Sequence, residues 1–189
     1  MRLLLILFVL VCVSSATAEE AELWPALRAG GHVALVRHAG TIGGSGDPPG
    51  FTLDNCASQR NLTLKGKAEA RRLGELFRLK EVPIGKVLRS RCCRCIETAA
   101  LMGLAAPELT PTFDNAFAFR DRIAQLTAGA RAIVAAWSGP GTLAVMTHGT
   151  NILPLTGIMP EEGGVVVVKG DPANAAGLRV VGRILTTEY

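Results

Sequence analysis

The sequence predicts an α/β protein, a three-layer α/β/α sandwich with a mainly parallel central sheet. Two observations carry this. Short runs of aliphatic and β-branched residues, VALV at 33–36 and TLAVMT at 142–147 among them, alternate with longer stretches whose apolar residues recur at helical spacing. Glycine or proline punctuates the chain before each run: Gly30-Gly31, Pro83 and Gly139-Pro140-Gly141.

Taken in order, Met1-Arg2, the apolar stretch Leu3 to Val13 and the small residues Ala16-Thr17-Ala18 have the layout of a cleavable secretory signal peptide. The mature chain is then expected to be residues 19–189, one domain, secreted or periplasmic, with no lasting membrane insertion. Glu19 to Ala29 reads as a short lead-in helix stopped by Gly30-Gly31, and His32 to Val36 as the first strand. Gly40 to Asn61 has no periodicity and is rich in Gly, Pro and Asp. From Thr63, a plausible N-cap, Gly66, Ala70, Leu73, Leu76 and Phe77 share one face of an amphipathic helix. Lys86 to Leu88 is a short strand leading into a second helix near Ser90. Residues 104–120 read as irregular, Asp121 to Trp137 as a third helix, and Thr142 to Thr147 as a fully apolar strand. His148-Gly149-Thr150 opens a further short helix. Gly163 to Val168 and Leu178 to Leu185 are the last two strands, parted by the Asp171-Pro172 turn.

Charge and cysteines narrow the function. Residues 1–18 carry one of the 20 basic side chains and none of the 16 acidic ones, so the mature chain keeps a mild positive excess. No basic run is interleaved with aromatics, which argues against nucleic acid and leaves an anionic small substrate as the natural partner. Cys56, Cys92, Cys93 and Cys95 form an even set in an exported chain, where disulfides persist. Vicinal and near-vicinal bridges are strained, so a bridge from Cys56 to the later cluster is expected. CC-x-C lacks the spacing of a structural zinc site, and no metal or cofactor is expected. No cysteine has an arginine six positions on, which excludes a cysteine phosphatase loop.

In a parallel sheet, ligands bind beyond the carboxyl ends of the strands. Here those ends carry Arg37-His38, Arg89-Ser90 just before Arg94, and Thr147-His148. Two imidazoles and at least two guanidiniums are thus drawn to one crevice from three chain segments. Guanidinium forks suit phosphate oxygens, and a neutral imidazole is a competent phosphorus nucleophile. A second imidazole, when protonated, would stabilise the equatorial oxygens. His32 lies in its strand with no such company and is read as structural.

The residues VRHAGT resemble the RHG/RHA signature of the histidine phosphatase superfamily, which includes the phosphoglycerate mutases. NLTLKGKAEARRLG, SRCCRCIETA and MTHGT resemble that family's next three motifs, in its order, over residues 32 to about 150. The resemblance implies a phosphoglycerate mutase-like fold and a metal-independent phosphatase without cofactor. It implies His38 as the phosphorylated nucleophile, with Arg37, Arg94 and His148 completing the phosphate pocket. Thr41 and Gly149 are expected to line the site, and Gln59 and Arg60 to belong to its substrate-binding wall. The sequence departs from the family where an acid is usual: the register puts Asn115 there, leaving Asp114 and Asp121 as candidate proton donors. The expected activity is that of an exported phosphatase acting on a phosphorylated small molecule or envelope glycan, with phosphosugars foremost. The alternative is a phosphate- or phosphoglycan-binding module of the same fold with little or no turnover.

Overall fold

The computed structural model describes residues 23–44 and 46–189; the signal-peptide expectation falls outside them. After a helix at 23–29 (α1), the chain forms β1 (Val33–Arg37), α2 (Leu64–Leu79), β2 (Ile84–Arg89), α3 (Cys93–Met102), β3 (Pro107–Leu109) and α4 (Ile123–Ala136). It continues with β4 (Thr142–Thr147), α5 (Gly149–Thr156), β5 (Val165–Gly170) and β6 (Leu178–Ile184). The six strands form one sheet in the order β3-β2-β4-β1-β5-β6. β3, β2, β4 and β1 are parallel to one another, whereas β5 runs antiparallel to β1 and β6 to β5.

Period-two alternation along the strands divides the core in two. Ala34, Val36, Val87, Ala144, Met146, Val165 and Val167 face α1, α2 and α3 through Leu23, Leu27, Leu73, Phe77 and Met102. Val33, Leu35, Leu88, Leu143, Val145 and Val166 face α4 and α5 through Ala130, Val134, Ile152 and Leu155. These are the three layers. β4 is buried along its whole length, as a central strand covered on both faces must be.

Thr63 caps α2, its hydroxyl accepting from the Gly66 N–H at 2.9 Å. A side chain at Gly66 would overlap the Gly40 carbonyl, so this glycine lets α2 pack directly on the loop that follows β1. Differences from the sequence expectations are local. The 104–120 segment contains the short strand β3 and, at Pro111–Phe113, a 3-10 turn. α3 begins at Cys93 rather than near Ser90; Ser90 Oγ and Arg91 N–H donate to Asp114 ahead of it. The expected bridge is present as Cys56–Cys93, with Cα atoms 5.6 Å apart; Cys92 and Cys95 are buried free thiols.

Candidate active site

The carboxyl ends of β1, β2 and β4 adjoin because those strands are neighbours in the sheet. Their pendant residues meet in a cavity of about 320 Å³. His38, Arg37, Arg60, Arg94 and His148 contribute its polar lining, and Asn115, Phe117, Thr150 and Met159 extend the wall outward.

The His38 ring is buried, with Nδ1 3.0 Å from the Ala39 carbonyl oxygen. A carbonyl only accepts, so Nδ1 carries the proton and Nε2 holds the free lone pair. Burial first, then the Arg94 cation, with smaller parts from Arg37 and Arg60, pushes the His38 pKa down to about 3 against the raising effect of the Ala39 bond. The imidazole is therefore neutral and nucleophilic at neutral pH. The His38 and His148 rings are edge to face, their centroids 5.4 Å apart, close enough to meet one tetrahedral anion.

His148 is fixed at both nitrogens. Arg94 Nη2 lies 3.4 Å from Nδ1 and must be the donor; Nε2 lies 3.1 Å from Ser90 Oγ and donates to it. Burial, followed by the Arg94 charge, holds its pKa well below the usual imidazole value. The condition for this imidazole to stabilise the equatorial oxygens as a cation, its protonation, is thus not met at neutral pH. Two donors cannot face each other across the Arg94 contact, so in this arrangement the ring orients Arg94.

Arg94 is almost fully buried and forms a bidentate pair with Asp47, at 2.6 and 3.1 Å. Asp47 Oδ1 also accepts from the Arg60 main-chain N–H. Arg37 donates to the Pro160 carbonyl at 2.8 Å and to Glu162 at 3.4 Å, and Arg60 donates to the same Glu162 oxygen at 3.1 Å. The Nε atoms of Arg37, Arg60 and Arg94 are all buried without a hydrogen-bond partner. Three guanidiniums lining one cavity with His38 give it the positive charge that a site for a tetrahedral oxyanion requires.

The two candidate acids lie elsewhere. Asp114 is completely buried, and its carboxylate accepts from Ser90 Oγ and from Arg91 N, Nε and Nη2. It anchors a chain that runs from Asp114 through Ser90 to His148 and then Arg94. Asp121 is exposed in the 3-10 turn Arg120–Arg122, away from the cavity wall. The residue that does stand in the wall is Asn115, whose Oδ1 accepts from the Phe117 N–H and the Thr150 hydroxyl, both at 3.1 Å.

Gly149 and Arg60 line the cavity. Gln59 does not: it caps the first turn of α3 by accepting from Cys93 N, and donates to Thr52 O. Thr41 stands behind the wall, donating its N–H and hydroxyl to Glu162 at 2.8 and 2.7 Å. His32 is buried with Nδ1 donating to Gly30 O, a structural role. Phe113 is a core residue, whereas Phe117 is a half-exposed rim residue with the Arg120 guanidinium stacked on it at 4.4 Å. Glu162, Met159 and Thr150 are wall side chains that sequence reasoning missed. Among the described residues no cluster of His, Cys, Asp and Glu has the makings of a metal site.

Solved structures with this architecture share the arrangement of layers. The protein histidine phosphatase SixA complexed with tungstate superposes with a TM-score of 0.58 at 18% identity, over 83% of this chain and 98% of that one. The alpha-ribazole phosphatase from Shigella flexneri gives 0.55 at 16% identity, over 82% and 96%. A mycobacterial glucosyl-3-phosphoglycerate phosphatase gives 0.55 at 13%, over 82% and 97%. No family model matches the sequence, and no curated protein does. The class is therefore a phosphoglycerate mutase-like α/β fold with its crevice at the carboxyl edge of the sheet. More particularly, it is the fold shared by the three solved phosphatases above.

Proposed function

We propose that the protein is a metal-independent phosphatase that works through phosphohistidine at His38. The observation that carries this is the tautomer and setting of that ring: Nδ1–H committed to Ala39 O, Nε2 free, in a cavity lined by three arginines. Nε2 attacks phosphorus and the P–O or P–N bond to the leaving group breaks. Water then attacks the phosphohistidine and returns the imidazole, with inorganic phosphate as product. Arg37, Arg60 and Arg94 bear the charge of the equatorial oxygens. His148, Ser90 and Asp114 hold Arg94 in place. The substrate is read as a phosphorylated small molecule or envelope glycan, met outside the cytoplasm. The Cys56–Cys93 bridge supports an oxidising compartment.

Incubating the mature protein with an aryl phosphate, followed by quenching, is expected to leave acid-labile phosphate on His38 and none on His38→Ala. A second reading, a binding module of the same fold, is favoured by Asn115 standing where a donor would be and by the Arg94 fork already engaged with Asp47. Anion binding with neither label nor turnover would establish that reading instead.

A further inference from the structure

The turn between α5 and β5 is joined to the nucleophile's strand at three points. Gly163 N–H donates to His38 O at 2.9 Å, Arg37 N–H to Gly164 O at 3.0 Å, and the Arg37 side chain to Pro160 O at 2.8 Å. This places Glu162 beside His38, and both its oxygens are used: Oε2 by Thr41 N, Oε1 by Thr41 Oγ1, Arg37 and Arg60. Its side chain keeps about a quarter of its exposure, at 26%. Among the described residues it is the only carboxylate on the cavity wall.

A charge count shows what that position does. The groups facing Glu162 are Arg37 from β1, Arg60 from the long loop and, across the cavity, Arg94 from α3. Asp47 and the neutral His38 and His148 complete the set. Three cations against Asp47 and Glu162 leave one positive charge. The Asp47 side chain is wholly buried and held bidentate by Arg94. An incoming dianion turns the cavity net negative unless one proton is taken up, and Glu162 is the group whose bonds to Arg37 and Arg60 the dianion would displace. In-line displacement expels the leaving group on the face away from the attacking nitrogen. Glu162 is tied to the His38 side, which argues against its acting as the leaving-group acid.

We infer that Glu162 is a positioning residue that holds the Arg37 and Arg60 guanidiniums on one site and yields them to a dianionic phosphoryl group by taking up a proton. Phosphate affinity, and hence product release, is set by this competition. The inference rests on the phosphatase reading above and specifies how its pocket handles charge.

Sulfate, which stays dianionic from pH 5 to 8, is the probe. Calorimetry of sulfate binding in buffers of differing ionisation enthalpy should show proton uptake by the wild-type protein. Affinity should rise as pH falls, by on the order of tenfold across the range. Glu162→Gln should bind sulfate on the order of tenfold more tightly at pH 8 and lose the pH dependence. Glu162→Asp should keep the dependence. Equal slopes in wild type and Glu162→Gln overturn the inference, as does absence of proton uptake in the wild type, a result that needs no variant to fold. If sulfate binds and His38 is labelled but the slope is unaltered by Glu162→Gln, only the role of Glu162 falls. If folded wild-type protein binds no sulfate at any pH, the phosphoryl site itself falls, and this inference with it.

Discussion

In the proposed reaction His38 depends on what its Nδ1 does. The bond to Ala39 O fixes the tautomer, and burial among guanidiniums keeps the ring neutral. The same burial makes folding sensitive to acid. The His38 pKa is lowered from 6.5 unfolded to about 3 folded, so the unfolded chain binds the extra proton. Its contribution is complete above pH 6.5 and is lost progressively as pH falls towards 3. By pH 4.5 this amounts to about 2–3 kcal/mol. Urea midpoints measured from pH 7.5 to 4.5 should fall accordingly, and less steeply in His38→Gln; parallel curves would refute the assignment. Asp114 differs in kind, since it acts on the protein rather than the substrate. Asp114→Ala strands Ser90 Oγ and the Arg91 N–H, and should cost about 2–3 kcal/mol of stability. The ratio of aryl to alkyl phosphate turnover should stay unchanged, as it should in Asp121→Asn. A selective fall in alkyl turnover would restore Asp114 as the acid. The sequence made His38, Arg37, Arg94 and His148 legible because each follows an apolar strand or opens a helix. It could not show that Asp114 points inward and Asn115 outward, because adjacent residues of an irregular segment have no period to read.

The element that completes the site is the long loop from β1 to α2. It supplies Asp47 to Arg94, Gln59 to the α3 amino end and Arg60 to the cavity, and Cys56–Cys93 ties it to the residue beside Arg94. Sequence predicted the bridge from strain among the clustered cysteines, but not its consequence. Only the fold reveals that loop and helix line one cavity. Cys56 is exposed, so the bridge is open to reductant. Cross-linking residues 37 apart should contribute about 3–4 kcal/mol through the unfolded chain. The Cys56→Ser/Cys93→Ser double variant should unfold at lower urea by that amount. Its KM should rise more than its kcat falls, because Arg60 and Asp47 lose their tether while His38 and His148 keep theirs. An unchanged KM would show that Asp47–Arg94 and Gln59 hold the loop unaided.

At the scale of the molecule, alternation of strand and helix predicted the layers, whereas strand direction stayed hidden. Val165–Gly170 is apolar enough for either direction, and only pairing shows that it returns antiparallel beside β1. That return delivers Glu162 to His38 from 124 positions away, which no local pattern encodes. The whole arrangement puts cations and, among the described residues, one wall carboxylate around His38. Asn115, Thr150, Phe117 and Met159 supply the remaining side chains of the cavity wall, beside three glycines. Neither an amide nor a hydroxyl already bonded to its neighbour gives up a proton readily to a departing alkoxide. A positioned acid is worth typically 10²–10⁴ in rate, so the site should favour groups that leave without one. Phosphoramidates and aryl phosphates should therefore outpace alkyl phosphates by about 10² or more in kcat/KM. Asn115→Glu tests the cause directly. Its carboxyl group, when protonated, places a proton donor on that wall. Alkyl phosphate turnover should rise while phosphoramidate turnover does not. A steep dependence on leaving-group pKa in the wild type that flattens in Asn115→Glu would locate the missing acid at this position. A shallow wild-type dependence would mean that a donor already acts.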